Sequence, residues 1–88
     1  MKRVDFDKKF IKHYKIRIKT RSNLAKQYDI RYKLFCDGRR GQPLNDHALK
    51  GDKLGLRSFS ISGDIRVVYK ETDEAYVFLA IGSHSQVY

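Results

Sequence analysis

Leu56-Arg57-Ser58-Phe59-Ser60-Ile61-Ser62-Gly63-Asp64-Ile65-Arg66-Val67-Val68-Tyr69 reads as two strands around a tight turn. Leu56, Phe59 and Ile61 are separated by polar residues, Ser62-Gly63-Asp64 supplies the turn, and Ile65–Tyr69 is rich in β-branched side chains. A second polar turn, Glu71-Thr72-Asp73-Glu74, leads into Ala75-Tyr76-Val77-Phe78-Leu79-Ala80-Ile81, the most apolar stretch of the chain. Three strands joined by short connections form an antiparallel meander, with the middle strand paired along both edges.

Upstream the apolar period changes from two to about four. Phe6, Phe10, Tyr14 and Ile18, joined by Ile11, mark one face of a helix that starts at Asp5 or Asp7. An aspartate there caps free backbone N–H groups and suits the positive end of the helix dipole. Lys8, Lys12, Lys15 and Lys19 line the opposite side. Thr20-Arg21-Ser22-Asn23 breaks the helix and re-caps a second one, whose stripe runs through Leu24, Tyr28, Tyr32 and Phe35 to a stop at Asp37-Gly38. Arg39–Pro43 is a loop, and residues 1–5, with Val4, form a brief edge strand. The order is βααβββ: an α+β fold with a helical hairpin packed on a small, twisted antiparallel sheet.

With 88 residues, one domain spanning 1–88 is expected, because so short a chain covers one hydrophobic core. A hydrophobic fraction of 41% argues against wholesale disorder. No apolar run approaches the ~18 residues that cross a bilayer, and the N-terminus has no secretory stretch. Cys36 is the single cysteine, which excludes a disulfide within the chain. A soluble, cytoplasmic protein is expected. The net charge is +9, yet residues 1–40 hold 14 basic and 4 acidic side chains, whereas residues 41–88 hold 5 and 6. That division points to a polyanion-facing segment on a near-neutral scaffold.

His13, His47 and His84 are too widely spaced for a zinc motif, and Gly38-Arg39-Arg40-Gly41 lacks the spacing of a phosphate loop. Neither a metal nor a cofactor is expected. Cys36 reads as a small residue near the apolar stripe, with nothing nearby in sequence to activate its thiol. The informative polar residues flank the strands: Asp46 and His47 before the sheet, Asp64 in the hairpin turn, Arg66 within a strand, His84 and Tyr88 after the last strand. Strand ends meet in space, so these residues are candidates to converge on one sheet edge. A histidine, a carboxylate, an arginine and a tyrosine together suit phosphodiester cleavage. A base takes the ribose 2′-OH proton, an acid protonates the leaving 5′-oxygen and a cation stabilises the phosphate. Each also has a plain structural reading as a turn former, surface charge or packing residue.

Asp46-His47-Ala48-Leu49-Lys50-Gly51, the hairpin Leu56–Tyr69 and the ending Ala80-Ile81-Gly82-Ser83-His84-Ser85-Gln86-Val87-Tyr88 resemble the RelE/YafQ family of type II toxin–antitoxin toxins. The resemblance follows the whole element order, with its specific motifs in residues 46–88. It implies the RelE-like, microbial ribonuclease-type fold. It also implies ribonuclease action on mRNA in the ribosomal A site without a metal, and neutralisation by an acidic antitoxin. On the YafQ pattern Asp46-His47, Asp64, His84 and Tyr88 occupy functional positions, and Arg66 matches the strand arginine of the RelE branch. Ser60 and Ala80 depart from it, standing where the YafQ branch has a histidine and an arginine.

The mechanism this implies has His47 or Asp64 deprotonating the 2′-OH, His84 protonating the 5′-oxygen, Arg66 on the phosphate and Tyr88 against a base. RNA-binding candidates are Lys8, Lys12, Lys15, Lys19, Lys50 and Arg57. The expected partners are a cognate antitoxin with an acidic segment, the ribosome and mRNA, with no membrane and a monomeric free toxin. Two alternatives remain: a ParE-like toxin of the same architecture acting on DNA gyrase, and a non-catalytic basic RNA- or protein-binding module.

Overall fold

A computed structural model describes residues 2–88. The elements are β1 (Arg3–Phe6), α1 (Lys8–Arg17), α2 (Ser22–Cys36), β2 (His47–Ala48), β3 (Arg57–Ser62), β4 (Ile65–Glu71), β5 (Ala75–Ser83) and α3 (His84–Val87). A 3-10 turn, Gly51–Lys53, lies between β2 and β3. The sheet order is β1-β5-β4-β3-β2. The expected meander is β3-β4-β5. Strand β1, whose expected first residue Met1 lies outside the described residues, adds to β5 in parallel, so the sheet is mixed.

Asp7 is the N-cap of α1, its Oδ2 accepting the Lys9 N–H at 2.9 Å. The second helix differs from the reading that a hydroxyl re-caps it. Arg21 holds the N-cap position without a side-chain bond, and Ser22 is already helical. Ser22 thus falls one residue too late for its oxygen to reach the free N–H groups of the first turn. Two-residue β2 and four-residue α3 show no period at that length, and neither was expected from the pattern.

Pleating separates the sheet faces. Phe59, Ile61, Val67, Tyr69, Phe78 and Ile81 point to the helices and form the core with Phe10, Ile18, Tyr28, Phe35 and Leu44. Phe78 is its hub, packing on Phe6, Phe10, Tyr32, Phe35, Phe59 and Tyr69 at ring-centroid distances of 5.4–6.0 Å. Leu79 is skipped in the β4–β5 register, so Tyr69 faces Phe78 while Val68 faces Ala80. This irregularity keeps Phe78 inside and Ala80 on the opposite face, against which the short α3 packs.

Burial raises the Tyr28 and Tyr69 hydroxyls far above the ordinary tyrosine range; the Asp46 carboxylate adds to the effect at Tyr69. The unfolded chain releases these protons near pH ~10 and the folded chain retains them. Their contribution to stability is therefore complete below about pH 10 and is lost as pH rises above it. Denaturant midpoints measured from neutral to strongly alkaline pH should fall above that point; a flat midpoint contradicts the burial of these hydroxyls.

Candidate active site

Cross-strand partners project from the same face, so the face away from the two long helices' core can be read in rows. One row is Ser60–Arg66–Gly82 and the next is His47–Ser58–Val68–Ala80. Arg66 is half-buried, and its Nε is sealed from solvent without a hydrogen-bond partner. Among the described residues no carboxylate lies within ion-pair distance of its guanidinium. An arginine held this way offers its fork to an external anion.

Gly82, beside Arg66, precedes His84 by two residues. The hairpin turn then meets α3: Asp64 Oδ2 accepts the His84 backbone N–H at 3.3 Å. One helical turn later the Tyr88 ring stands edge-on to His84, with centroids 4.4 Å apart at 90°. His84 and Asp64 are exposed. Asp64, Arg66, His84 and Tyr88 thus gather at one end of the sheet.

His47 does not join them. It sits on the edge strand β2, three strand spacings from β5, or about 14 Å. It shares their face, and its Nδ1 lies 3.0 Å from the Asn45 carbonyl oxygen. Asp46 points the other way. Its fully buried carboxylate accepts bonds from Arg57 Nε at 2.7 Å and from the Tyr69 hydroxyl, and pairs with Arg57 Nη2 at 2.6 Å. That bond raises the Arg57 pKa. Arg57, a candidate RNA contact, is therefore committed to an internal pair that ties the β2 entry to β3 and β4. Lys50 is exposed beside β2.

The four lysines of the stripe are exposed, with Lys19 just past the end of α1. Lys15 and Lys19 also border an apolar groove of about 330 Å³ floored by Phe10, Tyr14 and Tyr28.

Three residues to which the sequence pattern assigns no role hold the start of α3 and the end of β5. Gln86 Oε1 accepts the Ser83 N–H at 2.8 Å, and Arg17 Nη1 donates to the Ile81 carbonyl at 2.9 Å. Gly82 leaves room for both: a Cβ there would lie 2.6 Å from Gln86 Oε1 and 2.7 Å from Arg17 Nη1. Arg17 is 64 residues from Ile81 in sequence, so only the folded chain reveals the contact. Among the described residues, no three His, Cys, Asp or Glu side chains gather as a metal-ligand set.

Three helices and a five-stranded mixed sheet match the RelE-like α+β fold of known structures. The chain belongs to the YafQ family, bacterial toxins of type II toxin–antitoxin systems, whose model matches residues 2–88. It is similar to YafQ from E. coli strain BL21(DE3), with TM-score 0.83 at 20% identity, covering 100% of this chain and 99% of that one. The E. coli DinJ-YafQ complex also matches, with TM-score 0.82 at 21% identity and the same coverage. A metal-bound toxin from Helicobacter pylori matches with TM-score 0.79 at 27% identity over 100% of both chains. No curated protein sequence matches.

Proposed function

We propose that this toxin is an endoribonuclease that cleaves mRNA, in the ribosomal A site, through its own side chains. The supporting observation lies at the end of β4 and β5: Arg66, without an internal counter-ion, stands opposite Gly82, two residues before His84, whose backbone N–H bonds Asp64 and whose ring meets Tyr88. Arg66 takes the scissile phosphate. The 2′-oxygen loses its proton to a base and attacks phosphorus, the bond to the 5′-oxygen breaks, and His84 protonates that oxygen. A 2′,3′-cyclic phosphate and a 5′-OH result. Asp64 lies beside His84 with Oδ1 free of the backbone bond, which favours it over the distant His47 as base. His47 meets the RNA farther along the same face. Tyr88 orients a base.

One domain, residues 1–88, carries this activity in the cytoplasm as a monomer. The lysine stripe follows ribosomal RNA, and Lys50 extends the basic surface near β2. A cognate antitoxin neutralises the toxin; the groove bordered by Lys15 and Lys19 suits a segment apolar on one side and acidic on the other. Replacing Lys8, Lys12, Lys15 and Lys19 together by Gln should reduce co-pelleting with ribosomes and make its salt dependence shallower by about 3 in log–log slope. Unchanged pelleting removes this role for the stripe.

The cluster also favours a nuclease over a gyrase poison, which has no use for it. Primer extension on cellular mRNA after induction separates the readings. New cuts within translated frames support the nuclease, DNA damage without RNA cuts supports action on gyrase, and neither supports a non-catalytic binder.

A further inference from the structure

The sheet face opposite the core carries a second polar feature beside the proposed catalytic cluster. A cavity of about 350 Å³ opens over Ala80 and Val68, at the lower end of the ~300–1,000 Å³ common for small-molecule sites. Its walls come from elements far apart in sequence: Lys9 and His13 from α1, Lys53 from the 3-10 turn, and Tyr88 from the chain end. The small side chain of Ala80 leaves the floor open. The walls mix apolar surface with cations, as a nucleotide requires, with its flat base and charged phosphate.

His13 is the unusual group. Its Nδ1 is sealed from solvent without a hydrogen-bond partner, so Nε2 is the ring nitrogen that can bond to an occupant. Burial, reinforced by Arg17, Lys9 and Lys12, lowers its pKa, which keeps the imidazole neutral and able to donate or accept. Asp7 also borders the cavity, but its carboxylate is tied to the α1 N-terminus through the Lys9 N–H. Tyr88 belongs to both places: it lines the cavity and touches His84. Whatever occupies the cavity therefore lies one ring from the proposed acid.

We propose that this cavity is a nucleotide subsite for the RNA residue next to the scissile phosphate. Lys9 and Lys53 pair with its phosphate, His13 Nε2 bonds its base or ribose, and the Tyr88 ring forms the stacking wall. The subsite rests on the RNA-cleaving reading for its biological use, but binding can be measured without cleavage.

The full-length His84→Gln protein, titrated with hexa-adenylate, hexacytidylate and hexauridylate, tests it. The His13 imidazole signals, followed by NMR, should shift on saturation with at least one oligonucleotide. The Lys9→Gln/Lys53→Gln double variant should bind that oligonucleotide at least tenfold more weakly while keeping its amide spectrum dispersed. His13 signals that stay still at saturation, double-variant binding within twofold, or no binding by any of the three probes overturns the subsite. Those results leave the nuclease reading intact if wild-type protein still cuts mRNA in cells. Conversely, His13 shifts without cellular cleavage keep nucleotide binding at this cavity and overturn the nuclease.

Discussion

His84→Gln is expected to leave the toxin folded and remove nearly all of the RNA cleavage proposed for it. The His84 side chain is exposed and touches Tyr88, and the bond from Asp64 goes to the backbone N–H that glutamine also carries. Surface changes of this kind alter stability by about 0.5 kcal/mol or less. Removing a general acid costs roughly 10²–10⁴-fold in rate. Single-turnover cleavage of ribosome-bound mRNA should drop by that factor, with a thermal midpoint close to wild type and relief of growth arrest. A folded variant that cuts at the wild-type rate would exclude His84 as the acid. His47→Ala, three strands away, should cost much less than His84→Gln, because its ring cannot share the same phosphate oxygen.

Phe78→Ala should have the largest effect on the fold. Phe78 is 0% exposed and contacts six aromatic rings that belong to β1, both long helices, β3 and β4. Its carbonyl also accepts the Asp7 N–H at 2.9 Å, so the turn from β1 into α1 rests on the same residue. Truncation of a buried phenylalanine costs about 3–5 kcal/mol. Domains of ordinary stability hold only about 5–15 kcal/mol, so the variant should be barely folded. Its urea midpoint should collapse while the slope, which reports exposed surface, stays near wild type. A loss under about 1 kcal/mol would mean that the rings close over the gap and that Phe78 is not the hub.

The meander and the two helices were legible because their burial is periodic: Phe59 and Ile61 alternate with serines, and Phe10, Tyr14 and Ile18 recur at helical spacing. Asp7 could be read as a cap because its chemistry is local. β2 and α3 were not, since two and four residues carry no period. The cluster of Asp64, Arg66, His84 and Tyr88 could be named in sequence, but its assembly could not. Arg66 meets Gly82 only through the β4–β5 register, and His47 is removed from the group by a strand order invisible in the chain. The same limit hid His13. On a helix otherwise read as core on one side and lysines on the other, its place at the edge of β5 is a tertiary fact. The Arg57 pairing was hidden for a related reason: a surface-type arginine in a strand carries no sign that a buried Asp46 waits eleven residues upstream.

The proposed chemistry is RNA cleavage by 2′-OH attack, carried out by side chains of this chain. Purified ribosomes carrying one defined mRNA with an empty A site, incubated with the purified toxin in the presence of chelator, give the most direct test. The expected result is a cut within the A-site codon, leaving a 2′,3′-cyclic phosphate upstream and a 5′-OH downstream. Intact mRNA, or fragments ending in a 3′-OH and a 5′-phosphate, would contradict it.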